Sequence, residues 1–284
     1  MGVVLIKGID VELGSNIQRS LVSRLKNMSG WSVVLAVLSV FLFIFLVQFA
    51  LPFSSDSQEP YRLVGEQLAL NGNGNIPACV PCHGLQGQGN AEIASPRLAG
   101  LHPDYIKKQL EDYARDPLNT RAVVEPIARD YVKTPRTYGD LTVFTPGTRY
   151  DPKMNELAKM LSAEDRHNLA IYYSKLVFVA TPKAYDFETL ERGEDLALRG
   201  KPEYGLPACD SCHGPGGQGF GAIFPPLAGQ PVTYIIAQIN QWQAGKRDND
   251  HLALMRNIAD QLTDGDKVNV AAYYDNLSYS VNSE

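Results

Sequence analysis

The sequence predicts an all-α protein: one apolar N-terminal helix long enough to cross a membrane, then two tandem copies of a single helical unit. Three observations carry this. Trp31 to Leu51 is a run of 21 residues without a charge. The rest of the chain repeats itself, with PACVPCHGLQGQG at 77–89 against PACDSCHGPGGQG at 207–219. Apolar residues recur at three- and four-residue steps, and no alternating strand pattern of any length is present.

At about 1.5 Å rise per residue, the apolar run reaches across a hydrocarbon core of roughly 30 Å. Arg19, Arg24 and Lys26 precede it, while Asp56 and Glu59 follow. That basic bias makes 1–30 a cytoplasmic leader and 31–53 a single-pass anchor, with everything after it outside. A cleaved signal peptide would have a shorter apolar core and a small-residue cleavage site. VQFALPFSSD at 47–56 offers no A-x-A pattern. The composition is otherwise mild: 26 Lys and Arg against 31 Asp and Glu, a formal net charge of −5. With no basic run, nothing points to a nucleic-acid partner.

The repeat organises the remainder. Leu98-Ala99-Gly100 matches Leu227-Ala228-Gly229, and the segment from Met154 to Leu176 matches that from Met255 to Leu277. Each cysteine pair follows a short helical stretch, GEQLALNG at 65–72 and GEDLALRG at 193–200. The units are 57–180 and 188–284, with Thr181-Pro182 interrupting the helical pattern between them. Copy one carries an insertion at about 113–152 whose Pro117, Pro126, Pro135, Pro146 and Pro152 argue for loop. Tyr105, Ile106, Gln109, Leu110 and Tyr113 mark a helix over 104–114. Ser162 with Asp165, and Thr263 with Asp266, have capping-box spacing and open helices running to about Phe178 and Leu277.

All four cysteines fall in two identical arrangements, Cys79-Val80-Pro81-Cys82-His83 and Cys209-Asp210-Ser211-Cys212-His213. Two thiols three positions apart can each add to a haem vinyl group, and the adjacent histidine then supplies an axial nitrogen to the iron. A tetrahedral zinc site would need pairs converging on one metal, and a thioredoxin-like pair has no need of the histidine. Two covalent c-type haems follow, held by Cys79 and Cys82 and by Cys209 and Cys212, with His83 and His213 on the iron.

The sixth ligand decides between catalysis at an open iron and electron transfer at a closed one. Of five methionines, Met154 and Met255 occupy equivalent repeat positions, each seven residues before the leucine that opens the last helix. They are the predicted axial sulfur ligands. Met160 aligns with Gln261 and is the fallback in copy one. His102, His167 and His251 share no equivalent position and read as surface or cap residues. Tyr105 and Tyr234 align, as do Tyr113 and Trp242; they have the chemistry to line haem pockets, and plain core packing is the role preferred for each.

With these motifs in place, the chain resembles the dihaem class I cytochromes c of the cytochrome c4 type over roughly 60–280. The resemblance rests on C-x-x-C-H-G at both sites, P-x-L-A-G at 96–100, P-P-L-A-G-Q at 225–230, and A-x-Y-Y in each terminal helix. It implies two tandem class I cytochrome c domains, each a small helical bundle around one haem, with the haems near the domain interface. It also implies that the carbonyls of Pro96 and Pro225 accept hydrogen bonds from the ligating histidines, which fixes the imidazole rings. The function implied is electron transfer without substrate chemistry, on the periplasmic side of a bacterial inner membrane. Electrons would pass from a donor such as a quinol-oxidising complex to an acceptor such as a terminal oxidase. Alternatives are a cytochrome subunit of a membrane oxidase or dehydrogenase and, further off, a dihaem peroxidase-like enzyme. Permanent tethering and the copy-one insertion depart from the family pattern and suggest a dedicated membrane partner.

Overall fold

A computed structural model describes residues 57–115, 149–180 and 182–277, with residues 31, 34, 35 and 38–42 of the apolar segment. Those few apolar-segment residues are helical and exposed. Among the described residues no helix is long and apolar enough to cross a membrane. The predicted leader 1–30 and most of the predicted 31–53 span lie outside them, as does 116–148 of the insertion at about 113–152. The described residues from 58 onward form one compact unit.

Copy one contains α1 (Glu59–Asn71), α2 (Val80–His83), α3 (Pro103–Ala114), α4 (Pro152–Met160) and α5 (Ala163–Lys175). Copy two repeats them as α6 (Phe187–Arg199), α7 (Asp210–His213), α8 (Val232–Gln243), α9 (Leu254–Ala259) and α10 (Asp264–Asn276). Among the described residues, extended pairing is confined to isolated bridges. In each copy the first helix packs on the last, α1 on α5 and α6 on α10. The third helix packs on the last as well, and on the short helix that precedes it.

The helix ends follow from their caps. Ser162 and Asp165 form a complete capping box, and so do Thr263 and Asp266, so each last helix starts where a serine or threonine can satisfy an N3 amide. These helices stop at Lys175 and Asn276, short of Phe178 and Leu277, because the backbone turns extended at Leu176 and Leu277. Pro103 and Pro152 stand at first helical positions, where the missing N–H is no loss.

Glycine sets the helix crossing. A Cβ on Gly65 would meet the Asn168 carbonyl at 2.1 Å, and one on Gly193 would meet the Asn269 carbonyl at 2.2 Å. Only a residue without a side chain lets these backbones approach so closely. The two cores are built from matching residues: Leu68, Ile106, Ala170 and Tyr173 in copy one, Leu196, Ile235, Ala271 and Tyr274 in copy two.

Candidate haem sites and the interface between them

Each C-x-x-C-H motif forms one short helix, with Cys79 or Cys209 at its N-cap and the histidine as its last residue. His83 and His213 are buried. His213 Nδ1 lies 2.8 Å from the Pro225 carbonyl, and His83 Nδ1 lies 3.1 Å from the Pro96 carbonyl. A carbonyl can only accept, so Nδ1 carries the proton and Nε2 keeps its lone pair. Burial pushes both imidazoles below their ordinary pKa, which favours the neutral, ligating form. It also pushes the Cys79 and Cys209 thiols up, Cys209 to about 11, with the neighbouring Asp210 charge adding to the effect.

In copy two, Cys209, Cys212, His213 and Met255 line one cavity of about 240 Å³. Its remaining walls are mostly apolar, with Ile235, Ile239, Leu262 and Val270 among them. In copy one, Met154 is half-buried in the first turn of α4, where its amide donates to Asp151 Oδ1 at 2.8 Å. Met160 is 52% exposed at the end of that helix. His102 caps α3 by accepting from the Asp104 amide, and His167 packs edge-on against Tyr61. The side chain of His251 lies outside the described residues.

A family model described as cytochrome c oxidase, cbb3-type, subunit III matches residues 195–273, from α6 to α10 of copy two. The thiosulfate dehydrogenase electron acceptor of Thiomonas intermedia is 38% identical over 69% of this chain and 76% of its own length. Cytochrome c4 of Thiocapsa roseopersicina is 33% identical, over 70% of this chain and 87% of its own. The chain belongs to the dihaem cytochrome c4-like family. Solved structures agree with that membership. Reduced cytochrome c4 from Pseudomonas stutzeri superposes with a TM-score of 0.58 at 28% identity, covering 76% of this chain and 98% of that one. Thiosulfate dehydrogenase from Marichromatium purpuratum gives 0.61 at 34% identity, covering 75% of this chain and 40% of that one. This is therefore an electron-transfer cytochrome with covalently bound haem c.

The residues of this c4-like cytochrome fit that group. The copy-two cavity offers thiols, an imidazole lone pair and a thioether within apolar walls. The indole N–H of Trp242, on the same wall, has no hydrogen-bond partner among the described residues and so has a donor to spare. Arg247, also on the wall and buried, stacks over the Trp242 ring at 4.0 Å. Among the described residues its hydrogen-bond partners are Asn249, Gln238 and Tyr105, none of them anionic. A buried guanidinium without a carboxylate is costly, and the carboxylates of a haem would balance it.

Arg247 has a counterpart that sequence reasoning missed. Arg149 is buried over the Tyr113 ring at 4.4 Å, and Tyr113 aligns with Trp242. Arg149 donates to Gln109 in its own copy and to Tyr234 and Gln238 in the other. The backbones of Arg149 and Arg247 pair in an antiparallel bridge. The aligned tyrosines and glutamines thus serve a crossed polar network between the copies, and Tyr105 and Tyr234 also line the copy-two cavity. Trp242 belongs to the copy-two core and Tyr105 packs against the copy-one core while both also line the cavity; the arginines that meet them come from loops the repeat alignment does not match.

The contact between copies extends beyond this pair. Lys108 bonds to Asp112, itself 1% exposed, and donates to the Asn249 carbonyl at 2.7 Å. The backbone of Arg97, which is fully buried, donates to Gln230 Oε1 at 3.0 Å and accepts from Gln230 Nε2 at 3.0 Å. Asp112, Arg97 and Ser95 have no like residue in copy two, so the repeat gave no signal for them.

Proposed function

We propose that this cytochrome shuttles electrons from a periplasmic dehydrogenase to a respiratory acceptor while tethered to the inner membrane through 31–53. What supports the shuttle is the convergence of Cys209, Cys212, His213 and Met255 on one cavity, with the histidine–proline contact repeated in copy one. In this reading Cys79, Cys82, Cys209 and Cys212 hold two haems by thioether bonds. His83 and Met154 close one iron, and His213 and Met255 close the other. When bound, the haem supplies one-electron chemistry. The chain's part is to orient the imidazole through the Pro96 or Pro225 carbonyl, exclude water with apolar walls, and balance haem carboxylates with Arg149 and Arg247.

The named relatives point to the donor. Two of them are described as electron acceptors of thiosulfate dehydrogenase, from Thiomonas intermedia and Stutzerimonas stutzeri. A thiosulfate-oxidising enzyme is accordingly the donor we infer. The Marichromatium thiosulfate dehydrogenase, in which the matched part is 40% of the chain, favours a second form of the same reading, a stable enzyme complex. Stopped-flow mixing of the full-length oxidised protein with a thiosulfate dehydrogenase and thiosulfate tests the donor. Rapid, saturable haem reduction is expected, and reduction no faster than without the enzyme contradicts it. The tether predicts that alkaline carbonate leaves the protein in the membrane pellet and that deleting 31–53 releases it.

A further inference from the structure

We propose that the outward face of α1, at Pro60, Tyr61, Leu63 and Val64, rests on the lipid surface of the membrane that holds the chain, so that copy one is the copy seated against the bilayer. The inference rests on the tether reading above, in which 31–53 spans that membrane.

The repeat supplies its own control. Gly65 and Gly193 hold the same place at the helix crossing, which aligns α1 with α6 residue for residue. The side of α1 turned away from its core carries Pro60, Tyr61, Leu63, Val64, Gln67 and Asn71, all exposed. At the matching places α6 carries Glu188, Thr189, Glu191, Arg192, Asp195 and Arg199. The same bundle is thus built with a charged outer face in copy two, so the fold does not ask for apolar residues at these places. Tyr61 is 43% exposed, Leu63 50% and Val64 52%. Single exposed apolar residues are ordinary. The two on α6, Phe187 and Leu198, stand about three turns apart. On α1 they are gathered within one turn.

Their place on the helix decides the occupant. The apolar residues fill the first two turns of α1, and the polar Gln67 and Asn71 follow on the same side further along. Only residues 54–58 separate the 31–53 span from Glu59. At no more than about 3.6 Å per residue, they hold the start of α1 within about 20 Å of the hydrocarbon core, whatever path they take. The apolar end of this face is therefore the end nearest the bilayer. Two aliphatic side chains beside a tyrosine suit a membrane boundary, with the aromatic ring at headgroup level. The patch would be too small to bring a free protein to a membrane, but a short tether replaces affinity by a high effective concentration. Charge contributes little, because Arg62 pairs with both Glu59 and Glu66. The bonds to copy two described above come from α3, Arg97 and Arg149 rather than from α1.

The test is photocrosslinking of the full-length holoprotein in phosphatidylcholine vesicles. The photoreactive amino acid p-benzoylphenylalanine replaces Leu63 or, as the matched control, Glu191, and each protein is first checked for flotation with the vesicles and for unchanged haem spectra. Lipid adducts identified by mass are expected at 63 and not at 191. Giving copy one the residues of copy two, Tyr61→Thr with Val64→Arg, should cut the adduct at 63 by about tenfold or more, with flotation and spectra unchanged. No lipid adduct at 63, a yield equal to that at 191, or an adduct at 63 to a second copy of the chain would overturn the inference. So would an undiminished yield in the double variant. A chain that fails to float with the vesicles would instead overturn the tether reading beneath it.

Discussion

Copy one and copy two bury the same residue types around the same short helix, but they manage charge differently. Copy one is neutral over its length and keeps a buried ion pair, Lys108 with Asp112, against the other copy. Copy two is acidic and places Asp210 inside its attachment motif. Where the copies agree, in Gly65 and Gly193 or Ser162 and Thr263, the residue is needed to build the bundle. Where they differ, Ser95 and Asp210 make hydrogen bonds around the short helix of one copy alone, and Asp112 and Arg149 reach across to the other copy. The two copies share one scaffold and differ in the charges and hydrogen bonds around it.

The largest effects should come from the methionines. Met255→Ala is expected to remove one of two Met–iron signatures and turn one haem high-spin, and Met154→Ala to do the same to the other. Absorption and paramagnetic resonance spectra check this. A silent Met154→Ala with an active Met160→Ala would break the equivalence of the copies at this position.

Asp112→Asn should destabilise the protein by about 3–5 kcal/mol, because it strands the buried Lys108 beside Arg115. Denaturant unfolding measures this. Copy two has Gln241 at the aligned position, so its melting should fall only through the lost contact at Asn249.

Gly65→Ala and Gly193→Ala should each cost about 1–3 kcal/mol through overpacking at the helix crossing. Near-equal losses in thermal unfolding would sharpen the claim that the two crossings are one design. A neutral effect at either would refute the close approach there. The smallest change is expected from Ser162→Ala and Thr263→Ala, about 1 kcal/mol apiece for a lost N-cap.

Much of this was legible before the fold was seen, for reasons tied to particular residues. The capping boxes at Ser162 and Thr263 are local, so the helix starts read directly. The C-x-x-C-H spacing carries its chemistry within five residues. Gly65 and Gly193 were visible in the repeat, but a glycine in a helical pattern does not announce which carbonyl it approaches. Arg149 and Arg247 were harder still. They lie at different distances from their methionines, so the alignment never paired them, and their meaning depends on a contact between copies. Asp210 carries no signal beyond its place in the motif, since nothing there says that Tyr274 will hold its carboxylate.

The most direct test of the central claim is a pyridine haemochrome count on the full-length protein, joined to its oxidised and reduced spectra. Two haems c per chain, both low-spin and both with the weak long-wavelength band of a methionine–iron bond, are the predicted result. One haem per chain, or a high-spin haem able to bind small ligands in the untreated protein, would contradict the account of two closed electron-transfer sites.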